Sequence, residues 1–354
     1  MINLGKVKIM NNTTAYIEKY MSQGTTNNIA VRVGIGDRIV ADIFKSVETE
    51  IDSTTLFDMA SVTKAMATTT LCYIALDKGL LHIDDKVSLF FPVPEDKKEM
   101  TIKHLLTHTM GIGHKSLVSE GNTYDNIADF ILNIPSDVPI GSETLYSCPG
   151  YILLGKILEK LFGERLDALF LKYVAAPLDM KYSSFHPAKT DNIVNSNVNA
   201  DEKGLVNDYN CRFLGGVAGN AGLFSCMDDV TKFALMLINH GSPLISEKTF
   251  NDAVKNYTPG MSESRALGFV YVDGRYRQTG ILFADGSIGH CGHTGQSVFV
   301  NLKTGLYAVI LSDATISNTK KLGAEKYDTV MKMREDIYSA IKADLIAKGE
   351  ESCI

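Results

Sequence analysis

Apolar and polar residues alternate with a period of two near both ends of this chain and scarcely at all between them. IAVRVGI and DRIVADIFK read as a hairpin with Gly36-Asp37 at its turn. Strand signals return at Ala266–Val272, Gln278–Ala284, Ser297–Asn301 and Leu306–Ser312. From about Asp84 to His240 helical spacing dominates, over Ile102–His108, Tyr124–Leu132, Tyr151–Leu161 (ending at Gly163) and Asp228–Asn239. A short helix near Thr14–Met21 and one or two helices over Lys321–Lys348 flank the strands. The simplest assembly is one sheet drawn from both termini. The pattern therefore predicts an α+β fold: an antiparallel sheet flanked by helices, formed from both chain ends, with an inserted all-α subdomain. The division falls at 1–83 with 265–354 for the sheet part and 84–264 for the helical part. The crevice between them is the natural site.

The first helix after the hairpin carries the chemistry. Residues 56–65 read LFDMASVTKA, and Lys64 follows Ser61 by three positions. On a helix, i and i+3 are neighbours about 5–6 Å apart at their roots, so the amine reaches the hydroxyl unaided. That is the geometry of a serine activated by a lysine. Ser-x-x-Lys by itself is common on solvated helix faces, but here the helix behind it, Ala65–Leu81, shows no acidic residue until Asp77. A lysine on so apolar a helix needs a partner, or must lower its pKa and act as a base. The helix N-terminus also aims N–H groups at the serine, which favours a developing oxyanion.

Other chemistries find less support. A net charge of −6 with no basic run speaks against nucleic acid, and no stretch approaches a membrane span. The N-terminal MINLGKVKIMNNTTAY is basic but lacks the apolar core of a signal peptide, so a cytoplasmic location is expected. The six cysteines show no CxxC pair and suit a reducing compartment. His104 and His108 have zincin-like spacing, but Leu105 stands where a general-base glutamate belongs. They read as capping and packing residues, and His290 and His293 have only Cys291 nearby. Neither a metal nor a cofactor is expected.

A covalent serine enzyme also needs a group that protonates the leaving group and then activates water, together with oxyanion donors. In LYSCPGYILLGKILEK, Tyr146 occupies a tight loop before an apolar helix, where a phenol near a cationic lysine can be held at lowered pKa. SIGHCGHTGQSVFV offers a glycine-rich strand able to pass close to a substrate.

With these segments in order, the chain resembles the serine β-lactamase-like, penicillin-recognising family: class C β-lactamases, D-Ala-D-Ala carboxypeptidases, D-aminopeptidases, esterases and muropeptide amidases. The resemblance runs from about residue 14 to 312. It rests on LFDMASVTKAMATTTLCYIALDKGLLHIDDKV, MTIKHLLTHTMGI, YSCPGYILLGKILEKLFG, LGGVAGNAGLFSCMDDVTKFALML and the strand-turn-strand from Gly289 to Asp313. It implies Ser61 as nucleophile, Lys64 as its base and Tyr146 as the partner for leaving group and water. The third motif has two registers, His290-Cys291-Gly292 and His293-Thr294-Gly295, and the first is favoured. The oxyanion donors would be the backbone N–H groups of Ser61 and His293. Two positions depart from the family pattern: Cys148 stands where the second motif has Asn, and Cys291 where the third has Thr. A thiol cannot replace an amide's paired donor and acceptor, which weakens the case for efficient penicillin hydrolysis.

The resulting expectation is a serine hydrolase acting through an acyl-enzyme on an amide or ester, such as a peptidoglycan-derived peptide or small ester. The alternative is a penicillin- or muropeptide-binding sensor that acylates slowly or not at all. The partner is a small molecule or short peptide, and oligomeric state is left open.

Overall fold

The computed structural model describes residues 10–188, 192–197, 199–314 and 326–354. Six strands form one sheet in the order β2-β1-β8-β7-β6-β5, every neighbouring pair antiparallel. In chain order these are β1 (Asn28–Ile35) and β2 (Arg38–Ser46), then β5 (Val270–Tyr271), β6 (Ile288–Cys291), β7 (Ser297–Val300) and β8 (Leu306–Ser312). The first hairpin pairs directly with the last strand, Ile29 opposite Ser312 and Ile35 opposite Leu306. Both chain ends thus build one layer, as the alternation requires. The two-residue strands β3 (Phe57–Asp58) and β4 (Phe224–Ser225) make a separate ladder.

Alternation along β8 decides which face each residue serves. Leu306, Ala308 and Ile310 pack with Ile29, Val31 and Val33 beneath two helices, α1 (Asn11–Ser22) and α10 (Lys326–Ile346). Tyr307, Val309 and Leu311 face the opposite way, into the larger core. That core includes α2 (Thr70–Asp77), α3 (Ile102–Leu106), α4 (Ile127–Asn133), α5 (Cys148–Phe162), α6 (Leu166–Phe170) and α8 (Met227–Ile238). The shorter α7 (Tyr209–Phe213) and α9 (Glu247–Ala253) complete the set. Each fully buried Val, Leu or Ile contributes about 1.5–3 kcal/mol, so both faces of the sheet are held.

Local signals set the element ends. Ser147 caps α5 by accepting the Gly150 N–H at 3.1 Å, and Pro149 occupies its first turn. Gly163 ends that helix with φ at 72°. Asp228 and Asp229 occupy the first turn of α8, where the helix dipole favours them. The Gln278–Ala284 strand is not formed. That segment turns tightly, Gly280 N–H to Arg277 O at 2.9 Å, and puts Leu282 and Phe283 into the core beside α10. Its apolar residues serve packing, not a ladder. The first five residues of the predicted Lys321–Lys348 helix lie outside the described residues, and the rest begins as one helix, α10.

Asp229 ties the helical region to β4. Its buried carboxylate accepts the N–H groups of Lys181 (3.2 Å), Tyr182 (2.7 Å) and Ser183 (2.9 Å) and the Ser183 hydroxyl (2.9 Å). Ser184 then bridges to Phe224. Asp229→Ala strands these donors, and a loss of about 3 kcal/mol is expected. Urea unfolding checks this, as a lower midpoint at unchanged slope.

Candidate active site

The serine sits on a forced turn. β3 is held by β4, and the Met59 N–H bonds Leu223 O at 2.9 Å. Ala60 then takes φ of +45°, a strained value for a residue with a side chain, with its N–H fixed on Asp58 Oδ1 at 2.8 Å. The Asp58 carbonyl accepts hydrogen bonds from Thr294 Oγ1 (3.0 Å) and Gln296 Nε2 (2.6 Å). Among the described residues the Ser61 N–H has no acceptor. Lys64 opens a wide π-type stretch, Lys64–Thr69, that continues into α2 and stops at Asp77, short of the predicted Leu81.

Lys64 is fully buried. Its Nζ contacts Ser61 Oγ at 3.0 Å, Asn220 O at 3.0 Å and Cys148 Sγ at 3.5 Å. The Asn220 carbonyl comes from the glycine-rich loop, which can lie against α5 because Gly219 has no side chain. A Cβ there would stand 1.9 Å from the Tyr151 carbonyl oxygen. Tyr146 lies alongside, with Lys64 Nζ 5.0 Å from its ring centre. His108 stacks on Tyr146 at 4.5 Å and accepts the Ser147 N–H on Nδ1 at 3.0 Å, so it backs the tyrosine. His104 caps α3, its Nδ1 accepting the Thr101 N–H at 3.1 Å.

A cavity of about 820 Å³ gathers Ser61, Tyr146, Cys148, His290, Gly292 and His293 on its wall. His290 is buried on β6, 6.5 Å ring to ring from Tyr146. His293 is exposed in the turn beyond β6, and Thr294 points away to the Asp58 carbonyl. Gly292 passes so close to the serine turn that a Cβ would stand 2.8 Å from Met59 O. The Cys291 thiol meets the Tyr276 hydroxyl at 3.4 Å. A more open groove of about 980 Å³ runs along β2, but charge pairs such as Arg32–Asp42 wall it and it lies away from Ser61. Among the described residues no group of His, Cys, Asp and Glu is arranged to hold a metal.

Electrostatics separates the two readings of Lys64 and corrects the expectation for Tyr146. Burial pulls the Lys64 amine down, but Cys148 and Tyr146 more than offset it, and its pKa is raised. Of the two readings of this lysine, a charge held by partners or a base neutralised by burial, the direction favours the first. Burial likewise pushes the Tyr146 phenol up; Lys64 opposes this without prevailing, so the expected lowered pKa is not found. Burial raises the Cys148 thiol too, yet Lys64 and a hydrogen bond with His114 bring it below its ordinary value. His108 and His290 are held neutral, first by burial and then by Arg265 and Lys64.

Four groups escaped the sequence reading: His114, Asp208, Arg265 and the Asn220 carbonyl. Arg265 lies 5.8 Å over the Tyr146 ring and is paired with Glu263. Three come from irregular segments without a motif. Asn220 lay inside a glycine-rich stretch whose density was the only signal.

Comparison with known proteins gives the family. Residues 13–329 match the Beta-lactamase family, and the chain belongs to it. A candidate D-alanyl-D-alanine carboxypeptidase of Escherichia coli (strain K12) is 27% identical over 300 residues, 73% of this chain and 69% of that protein. An N-acetylmuramyl-L-alanine amidase of Bacillus subtilis (strain 168) is 29% identical over 224 residues, 53% and 51% of the two chains. The fold is also that of EstCE1, a hydrolase with promiscuous acyltransferase activity, at a TM-score of 0.73 and 18% identity, covering 93% of this chain and 98% of that one. The relatives are hydrolases, and among the described residues no helix is long and apolar enough to cross a membrane.

Gly292→Ala tests the packing of β6 against the serine turn. It should cost about 1–3 kcal/mol of stability through overpacking. It should also lower the rate of covalent labelling at Ser61 by more than tenfold at a temperature where the variant remains folded. Thermal unfolding and labelling followed by mass spectrometry separate the two effects.

Proposed function

We propose that this chain is a serine hydrolase that cleaves an amide or ester through an acyl-enzyme, with Ser61 as nucleophile, Lys64 in its neutral form as the group that receives its proton and Tyr146 as the acid for the leaving group. The observation that carries this is the 3.0 Å contact between Ser61 Oγ and the buried Lys64 Nζ at the wall of a large cavity. Ser61 Oγ attacks the carbonyl carbon, and the oxyanion that forms is met by the backbone N–H groups of Ser61 and His293. The leaving group departs with a proton from Tyr146, and water enters by the reverse of the same proton path. His290 and Gly292 line the substrate's course along β6.

A peptidoglycan-derived peptide or a small ester is the substrate class this reading favours. The relatives' names point to D-alanyl-D-alanine and muramyl-alanine bonds, and EstCE1 is named for acyl transfer. A volume of about 820 Å³ accommodates a short peptide or small molecule. Exposed Val118 and Tyr209 at the cavity wall supply apolar contact.

Intact-protein mass after fluorophosphonate treatment tests the nucleophile. One phosphonyl adduct on the wild type, absent from Ser61→Ala, is expected; no adduct at any pH defeats the reading. With p-nitrophenyl acetate, Ser61→Ala and Lys64→Ala should each remove most of the turnover, and the double variant should lose no more than either. Tyr146→Phe should slow release of the acyl group at least as much as its formation, which burst kinetics resolve.

A further inference from the structure

Two carboxylates stand on the cavity wall among the described residues, Asp208 and Glu263, and they are not alike. Glu263 is spent on Arg265, whose Nε and Nη2 both bond its Oε2. Asp208, the residue before α7, has no such partner. Its Oδ1 caps that helix by accepting the Cys211 N–H at 2.8 Å, and it also accepts Asn220 Nδ2 at 3.1 Å. Among the described residues its Oδ2 accepts no hydrogen bond, and no Lys, Arg or His nitrogen comes within 4.0 Å of the carboxylate. Arg212, one turn along, is turned to Glu202 and Asn197 instead, each at 2.7 Å. A half-buried charge thus faces the cavity with one oxygen open.

We propose that Asp208 selects the substrate: its open oxygen receives a primary ammonium group, so the bond cleaved belongs to an amino acid or peptide with an unblocked amine. This rests on the serine-hydrolase reading above and narrows its substrate class. Asp208 is also tied to the reacting centre. The Asn220 side chain bonds Asp208, while the Asn220 carbonyl accepts from Lys64 Nζ at 3.0 Å. The residue that helps to hold Lys64 beside Ser61 therefore also fixes the carboxylate.

The shape of the site favours an ammonium over other cations. A guanidinium binds best through two parallel bonds to both carboxylate oxygens, and Oδ1 is already used twice. A divalent metal needs several ligands, and among the described residues no group of His, Cys, Asp and Glu is arranged to hold one. An ammonium is a compact charge with three donors. Asp208 Oδ2 takes one of them. The neighbouring Asn207 supplies a second acceptor: its Nδ2 bonds Ser196 O at 2.7 Å, and its Oδ1 accepts nothing among the described residues. Both side chains line the cavity that holds Ser61, and exposed Tyr209 adds an aromatic ring to the same wall.

The test compares amides that differ only by an amine, as inhibitors of p-nitrophenyl acetate turnover at neutral pH. Alaninamide, as either enantiomer, carries an α-ammonium that propanamide lacks. Nα-acetyl-lysinamide carries a side-chain ammonium that Nα-acetyl-norleucinamide lacks. In the wild type at least one ammonium-bearing amide should bind at least tenfold more tightly than its neutral counterpart. Which one does so places the amine on the α-carbon or on the side chain. Asp208→Asn and Asp208→Ser remove the charge but keep a residue able to cap α7. Asp208 also favours the charged forms of Lys64 and His114, so each variant is judged by the ratio within a pair rather than by its own rate. That ratio should fall below about twofold in both variants, since only the ammonium member loses a charged partner. No advantage for either amine in the wild type, or an advantage that both variants keep, overturns the inference. Absence of Ser61-dependent turnover in the wild type defeats the serine-hydrolase reading instead, and titration calorimetry with the same amides then decides the Asp208 contact by itself.

Discussion

The arrangement turns on one buried cation. Lys64 is removed from water, and three of its direct contacts are to a hydroxyl, a carbonyl and a sulfur rather than to a carboxylate. An ammonium without compensation costs several kcal/mol in such a place. The three contacts come from three separated stretches: the serine turn, the N-terminus of α5 and the glycine-rich loop around Asn220. Each must be in position for the charge to be tolerated, so burying Lys64 brings the parts of the site together. Gly219 permits the closest of these approaches by leaving room for the Tyr151 carbonyl.

The sheet supplies the other wall. β6 brings His290 and Gly292 past the serine turn, and Thr294 and Gln296 reach from beyond it to hold the Asp58 carbonyl. Those two hydrogen bonds fix the carbonyl just before the strained Ala60, and among the described residues the Ser61 N–H has no acceptor. Arg334 on α10 binds the Gly292 and Gly295 carbonyls from behind, so the helix at the far end of the chain stiffens the same turn.

Much of this was legible where a residue's local chemistry and its place in the fold agree. β8 follows the alternation over Leu306–Ser312, Gly163 ends α5, and Ser61 and Lys64 meet by helical spacing alone. Reading failed where tertiary packing decides. Gln278–Ala284 has the residues of a strand but spends them under α10. Strands of two residues, such as β3 and β4, carry no pattern at all. The ionisation of Tyr146 and Lys64 depends on burial and on each other, which spacing does not encode. Cys148 was read as the loss of an amide, because the letter shows what is missing and not that a sulfur beside an ammonium can ionise.

His290 shows how one backbone carbonyl fixes a tautomer beside the cavity. Its Nδ1 lies 2.8 Å from the Cys291 carbonyl, which can only accept, so Nδ1 carries the proton. Nε2 then holds an unshared pair, and among the described residues it has no hydrogen-bond partner. Burial, Arg265 and Lys64 all oppose a second proton on the ring. A lysine at this point on the strand would present positive charge to a substrate anion, whereas this imidazole presents an acceptor. The nearest guanidinium, Arg265, is already paired with Glu263. The ring is thus fixed as a buried acceptor at Nε2, and one backbone carbonyl sets which of its nitrogens carries the proton.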